Sequence, residues 1–440
     1  MPILFMMIAM MIMLDRNNHF QSRMTNYDCE FNEEIVSWFI TSICQLIPKT
    51  DIVSEHMHRL CRTSKTVPVK YLIQCASTAE LFIRPLNSCV GDVDELVGEA
   101  NQLGFNDNVP VLPTDLSGMM DTIECCQIES HQGYPGFVRL RFLGEINYDW
   151  KYKQYESTCS STVHTGKYTY IGRNLALRRS GPSYFISGPA LKRLAVDSEL
   201  NSGRDSVTSL FCPQWPKEAR NWPNRPRKYG WPTFGVITEV VQDGCHVVYA
   251  QNRSGRDDHL QWRLPFSFAE VILLQSCSQT QQIVYHLLRF FAKSELIQMD
   301  CPKEDEVLCL YHLKTLMLWT CEDMPSTWWN SSSVIAICCD LLKKLLEWQR
   351  LKYFPNYFIP EANLYHQPSR PAVFHQIQRR LNDFSISDIL SNWFIENYIL
   401  PITRTQLNFL NKGNVITHFM GYLLPLLEHC KAATCFRLFE

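Results

Sequence analysis

IQCASTAELFIRPLNSCVGDVDEL, residues 73–96, is the stretch on which the reading of the chain turns. An apolar, β-favouring run ends at Cys75 and is followed by the small residues Ala76, Ser77 and Thr78. Fifteen positions after Ser77, Asp92 and Asp94 alternate with Val93. In a strand that alternation sends both carboxylates to one face and Val93 to the other. Two like carboxylates so close repel each other unless water or a cation lies between them, and magnesium favours carboxylate together with phosphate oxygens. A small-residue turn lets backbone N–H groups and a hydroxyl approach those phosphates. A third carboxylate should come from a later strand, and Asp205 in SGRDSVTSLF (202–211), followed by a β-favouring run, is the candidate. Three carboxylates around two divalent ions about 3.5 to 4 Å apart would activate an attacking hydroxyl and stabilise leaving pyrophosphate, which is the chemistry of nucleotidyl transfer.

The rest of the composition sets bounds on this reading. At 440 residues, 46% hydrophobic and 20% charged, the chain is long enough for a large core and is biased toward no disordered or fibrous class. A formal charge of −2 excludes a global pull toward nucleic acid, so any such partner needs a local basic face. The eighteen cysteines form no matched CxxC pairs and read as reduced, buried thiols of a cytoplasmic protein. The apolar leader MPILFMMIAMMIML (1–14) falls short of the roughly 20 residues that span a bilayer and lacks the marks of a cleaved signal. Residues 1–28 are therefore expected to be a disordered leader, with no membrane partner.

Past the leader, NEEIVSWFITSICQLIPKTDIVSEHMHRL (32–60) carries Ile35, Trp38, Phe39, Ser42, Ile43 and Leu46 at helical spacing, predicting a long helix with that face buried. Between 70 and about 275 short runs such as GFVRLRFLG, YFISG and CHVVYA, punctuated by Gly, Pro and Asn, predict a mixed α and β region. From Ser278 the pattern is helical. SQTQ (278–281) is a capping box, and two later stripes, Ile283, Val284, Leu287, Leu288, Phe291 and Val334, Ile337, Cys338, Leu341, Leu342, Leu345, are packing faces.

Four segments carry a resemblance: FCPQWPKEARNWPNRPRKYGWP (211–232), WRLPFSFAEVILL (262–274), CLYHLKTLMLWTCE (309–322) and NYFIPEANL (356–364). Together they are similar to the Mab-21 domain family, which includes cyclic GMP-AMP synthase and the cGAS-like receptors. The resemblance implies an α+β, two-lobed nucleotidyltransferase fold. A spine helix and mixed-sheet core would occupy 29–275, a helical C-terminal lobe 276–369 and a helical extension 370–440. It implies synthesis of a cyclic dinucleotide from ATP and/or GTP, with two Mg2+ or Mn2+ ions, on sensing double-stranded nucleic acid, and signalling through STING. It assigns Ser77 to the phosphate turn, Asp92, Asp94 and Asp205 to the metal and catalytic acids, and Arg263, Ser267, Lys314 and Lys344 to the nucleotide.

The chain departs from the family pattern at Ala76, where a glycine is expected, at Pro265 in place of a serine, at Ser206 beside the third acid, and at Lys344 where a tyrosine often stacks on the base. The same resemblance therefore implies an alternative, a catalytically degraded binding or scaffold protein. Cys277, Cys301 and Cys309 lack the spacing of a tetrahedral site, so no structural zinc is expected; in this the chain resembles the cGAS-like receptors without a zinc thumb, and that resemblance implies double-stranded RNA ahead of DNA. Lys217, Arg220, Arg225, Arg227 and Lys228, with Lys343, Lys344, Arg350 and Lys352, are the basic residues a nucleic-acid surface would draw on, though a solvated face explains them equally well. CPQWPKEARNWP reads as a rigid structural loop, and His312 as a buried, hydrogen-bonded histidine.

Overall fold

A computed structural model describes residues 33–46, 70–75, 93–99, 102–106, 122–149 apart from 132, 154–158, 169–171, 175–180, 183–187, 204–249, 260–297, 307–365, 371–399 and 401. The leader, Ser77, Asp92, Ala76, Cys301 and residues 402–440 lie outside that set.

The chain begins, among the described residues, with helix α1 (Glu33–Leu46). The strands follow: β1 (Lys70–Cys75), β2 (Val93–Glu99), β3 (Gln102–Phe105), β4 (Thr122–Ser130), β5 (Phe137–Asp149), β6 (Gln154–Thr158), β7 (Thr169–Ile171), β8 (Leu175–Ser180), β9 (Ser183–Ser187) and β10 (Arg204–Cys212). After helix α2 (Phe234–Gln242) come β11 (Cys245–Tyr249) and β12 (Trp262–Arg263), and every later element is helical. These are α3 (Ser267–Gln275), α4 (Gln279–Glu295), α5 (Leu310–Asp323), α6 (Val334–Leu351), α7 (Pro371–Asp383) and α8 (Ser387–Phe394), with a π turn over Ile395–Ile399. The strands join one mixed sheet in the order β1-β2-β10-β11-β12-β5-β9-β8-β7, with β3 bridging β10 and β4. Most pairs are antiparallel, but β2 and β3 both run parallel to β10, and β3 runs parallel to β4. The predicted β runs fall on β5, β9 and β11.

Local chemistry explains several boundaries. Ser278 and Gln281 form the capping box at the start of α4: Gln281 N donates to Ser278 Oγ at 3.4 Å and Ser278 N to Gln281 Oε1 at 2.7 Å. The two predicted packing stripes on α4 and α6 are buried throughout. Gly244 turns the chain from α2 into β11 at φ +67°, and a Cβ there would sit 2.2 Å from the Cys212 carbonyl oxygen, so only glycine fits.

Helix α1 corrects the sequence reading at Trp38. Among its described side chains the buried ones are Val36, Ser37, Ile40, Thr41 and Cys44, while Trp38, assigned to the buried face, is 48% exposed. The reason is polar. Ile335 N donates to Ser37 Oγ at 3.1 Å, and Thr41 Oγ1 donates to the Ser331 carbonyl at 3.1 Å, so two hydroxyls occupy the inner face and satisfy backbone groups at the start of α6. A pattern scored on apolarity alone gives Trp38 the inner face and overlooks the hydroxyls that line it. The helical extension also has a definite place: α8 and the π turn pack on α1, and the Tyr398 hydroxyl lies 3.4 Å from Cys44 Sγ and 2.9 Å from His286 Nε2.

Burial, with a smaller contribution from the Arg289 charge, pushes His286 down to about 4, and burial does the same to His246. The native state thus refuses a proton that the unfolded chain takes up near the ordinary histidine value of 6.5. Their contribution is complete above that value and is lost as the pH falls toward 4. Urea midpoints measured between pH 7 and 4.5 should decline, and His286→Gln should flatten the decline; an unchanged slope would show that His286 is not held neutral. Burial likewise pushes the Cys44, Cys125 and Cys339 thiols up to about 12.

Candidate active site

Two groups of candidate residues are positioned by the sheet. On the first, Asp205 of β10 is the direct Cα partner of Asp94 in β2 across the parallel ladder, with Arg204 opposite Val93 and Ser206 opposite Glu95. Two acids 111 residues apart in sequence are therefore neighbours at one strand spacing, about 4.8 Å. On the second, β12 carries Arg263, which is exposed. The ladder runs Arg263 to Val248 to Ser209, two strands away and four residues beyond Asp205. At about 4.8 Å per strand and 3.3 Å per residue, the Cα atoms of Asp205 and Arg263 are roughly 16 Å apart before sheet twist.

The backbone turns sharply after Arg263. Phe266 adopts the left-handed conformation, φ 52°, an uncommon state for a bulky residue, and its ring stacks on Phe358 with centroids 4.4 Å apart. The stack holds the turn from which α3 starts, so Ser267 becomes its first residue and Glu270 falls one turn further on. Pro265, buried, offers no hydroxyl.

Glu270 meets Lys314 of α5: both are buried, and Lys314 Nζ donates to Glu270 Oε2 at 2.7 Å. Tyr311, one turn before Lys314, completes the cluster. Its ring lies under the Arg263 guanidinium (5.6 Å to the centroid) and the Lys314 ammonium (5.7 Å). Its hydroxyl accepts from Asn356 Nδ2 at 3.1 Å. Burial and then the Glu270 carboxylate raise the phenol, against the two cations, so it stays protonated. Of this cluster the resemblance names Arg263 and Lys314 and does not name Glu270 or Tyr311. The signal was present: a single carboxylate inside the apolar run FAEVILL requires a buried cationic partner.

Lys344 is not brought to this cluster by any contact. Its ammonium lies 3.2 Å from Asp323 Oδ2. Asp323 is nine residues beyond Lys314 on α5, about 13 Å of helix rise away. His312 is buried, as expected: its Nδ1 accepts from Cys309 N at 3.1 Å while Nε2 lies 3.2 Å from the Leu364 carbonyl, which fixes the neutral Nε2–H tautomer.

The Trp- and Pro-rich loop is structural, and two of its arginines point inward. Arg225 donates to the Tyr357 carbonyl at 2.9 Å and to Glu322 Oε2 at 2.7 Å, with its guanidinium 4.3 Å from the Trp319 ring centroid. Arg227 lies 3.5 Å from the same Glu322 oxygen and stacks over the buried Trp222. Neither forms part of an outward basic face, whereas Lys217, Arg220, Lys228, Arg350 and Lys352 are exposed. Among the described residues no group of three or more His, Cys, Asp or Glu side chains could hold a metal, and no helix is long and apolar enough to cross a membrane.

Comparison with known proteins identifies two domains in the chain. Residues 147–276 match the Mab-21 protein nucleotidyltransferase domain, and residues 270–385 match the Mab-21 protein HhH/H2TH-like domain. Asp205, Arg263 and Ser267 fall within the first match, Lys314 and Lys344 within the second, and Ser77, Asp92 and Asp94 precede both. The chain is 27% identical over 175 residues to Protein mab-21-like 3 of Danio rerio, covering 39% of this chain and 41% of that protein. It is 28% identical over 175 residues to Protein mab-21-like of Anopheles gambiae, covering 38% and 45%. The aligned stretch thus spans less than half the length of either relative. The two domain matches overlap at 270–276 and together cover more than half of the sequence, and the chain accordingly belongs to the Mab-21 family, with a Mab-21 nucleotidyltransferase domain.

Proposed function

We propose that the chain is a metal-dependent nucleotidyltransferase that makes a cyclic dinucleotide from ATP and/or GTP. It acts on contact with double-stranded nucleic acid, RNA ahead of DNA, and its product signals through STING in innate immunity. The observation that carries the reading is the parallel register of Asp94 with Asp205. An all-oxygen donor set on adjacent strands suits Mg2+ or Mn2+ and suits softer metals poorly. In this reading Asp92, Asp94 and Asp205 hold two ions, which when bound supply charge neutralisation for the triphosphate and a more acidic attacking hydroxyl. Ser77 cradles phosphate. Arg263 and Lys314, the former exposed and some 16 Å from Asp205, orient nucleotide as cations for phosphate or base acceptors, with Ser267 on the same segment as Arg263. Lys344 is held by Asp323 and reaches a nucleotide only by leaving it. The exposed Lys217, Arg220, Lys228, Arg350 and Lys352 are the residues for phosphate-backbone contact. A two-lobed arrangement, with the site between the sheet and the helices that follow Arg263, and a cytoplasmic location belong to the same proposal.

One observation favours the second reading, a non-catalytic binding or scaffold protein: Pro265 is buried where the resemblance expects a nucleotide-contacting serine. The two separate by ligand linkage. Saturating MnCl2 with ATP or GTP should raise the melting temperature, a ligand at roughly 100 times its Kd contributing about 2.7 kcal/mol. Asp94→Ala should abolish the shift. A folded wild-type protein with no shift would leave only the scaffold reading.

A further inference from the structure

Arg263, Lys314, Glu270 and Tyr311 gather two cations and one carboxylate around one phenol ring. The Glu270 carboxylate accepts from the Lys314 ammonium at 2.7 Å, with the two side chains 3% and 9% exposed. A pair so sheltered from water is weakly screened, and any incoming phosphate must displace the carboxylate before it gains the ammonium. Of the three ionised groups, one negative charge cancels one positive charge, so the net attraction left for a ligand is that of the exposed Arg263.

We propose that Glu270 is a specificity-determining residue, a built-in competitor for Lys314 that only a polyphosphate displaces. This deepens the nucleotidyltransferase reading and rests on it for the identity of the natural ligand. A polyphosphate engages Arg263 with one phosphoryl group and presents a second, dense cluster of oxygens to Lys314. A monophosphate has its charge spent at Arg263 and leaves the Glu270–Lys314 pair closed. The exchange needs somewhere for the released carboxylate to go, and Tyr311 provides it. Its phenol stays protonated next to Glu270 and is itself anchored by Asn356, so the carboxylate keeps a donor when the ammonium turns away. Discrimination of this kind works by making the wrong ligand face an occupied partner rather than by adding contacts to the right one.

The test uses inorganic tripolyphosphate and orthophosphate, bound to the full chain without metal and followed by calorimetry, so that nucleoside recognition does not enter. Wild type should prefer tripolyphosphate. Glu270→Gln should tighten orthophosphate by about tenfold or more while changing tripolyphosphate less, compressing the preference. Glu270→Asp, which keeps the charge, should restore it. Lys314→Gln gives an independent reading should Glu270→Gln fold poorly: it should weaken tripolyphosphate and leave orthophosphate unchanged, because orthophosphate never gained that lysine. Equal losses of both ligands in Lys314→Gln, a preference unaltered in folded Glu270→Gln, or no tripolyphosphate binding by wild type would each overturn the proposal. Binding of tripolyphosphate with the expected pattern, but none of ATP or GTP with metal, would uphold the competitor and overturn the nucleotidyltransferase reading instead.

Discussion

Asp205→Asn should lower nucleotide turnover by about a thousandfold or more while leaving the melting temperature near that of wild type. The substitution keeps the size and most of the hydrogen-bonding capacity of the side chain and removes only its charge. Asp205 lies near the start of a parallel ladder whose backbone bonds are indifferent to that charge, and its Cα partner is another acid. Removing one carboxylate should relieve repulsion when no metal is present, so stability has no reason to fall. The chemistry has every reason to, since an amide is a far poorer ligand for a hard divalent cation than a carboxylate. A variant that unfolds, or that turns over at the wild-type rate, contradicts this assignment.

The largest effect on stability is expected at Glu322. Its carboxylate is 5% exposed and serves three partners: Arg225 at 2.7 Å, Tyr357 Oη donating at 2.7 Å, and Arg227 at 3.5 Å. Those arginines belong to the loop after β10, and Glu322 to the last turn of α5, so one carboxylate fastens the strand-bearing part of the chain to the helices. Glu322→Ala leaves two guanidiniums in a sheltered site without their counter-charge. Breaking a buried pair from one side costs about 3 to 5 kcal/mol, because the surviving charge has lost its solvation and its partner together. The neighbouring Trp319 and Tyr357 faces, 4.3 and 4.7 Å from the Arg225 guanidinium, offset a part of that. Urea denaturation should register the loss as a lower midpoint. An unchanged midpoint would mean that the arginines find equivalent acceptors or water, and that the loop is not pinned here.

Much of the architecture could be read before the structure. Capping chemistry is local, so SQTQ located the start of α4, and apolar stripes at 3, 4, 7 and 8 placed the buried faces of α4 and α6 correctly. On helix α1 Trp38 was misplaced because the inner face is built partly from Ser37 and Thr41, whose value depends on carbonyl and amide groups nearly 300 residues away. The same contrast holds for the site. Asp205 could be named as a partner for Asp94 from the need for a third acid, yet the pairing itself is a long-range strand register that no local pattern contains. Lys314 could be named, but not its neutralisation by Glu270, and Arg225 and Arg227 read as surface charge until Glu322 was seen between them. Ser77 and Asp92 lie outside the described residues, so their assignments rest on the sequence.

The most direct measurement is chromatography with mass spectrometry of the products formed by purified protein from ATP and GTP with Mn2+ or Mg2+, in the presence and absence of double-stranded RNA. A cyclic dinucleotide that appears with wild type, rises with RNA and vanishes with Asp205→Asn is the predicted result. A folded protein that forms no such product under any of these conditions, or forms it equally with Asp205→Asn, would contradict the account.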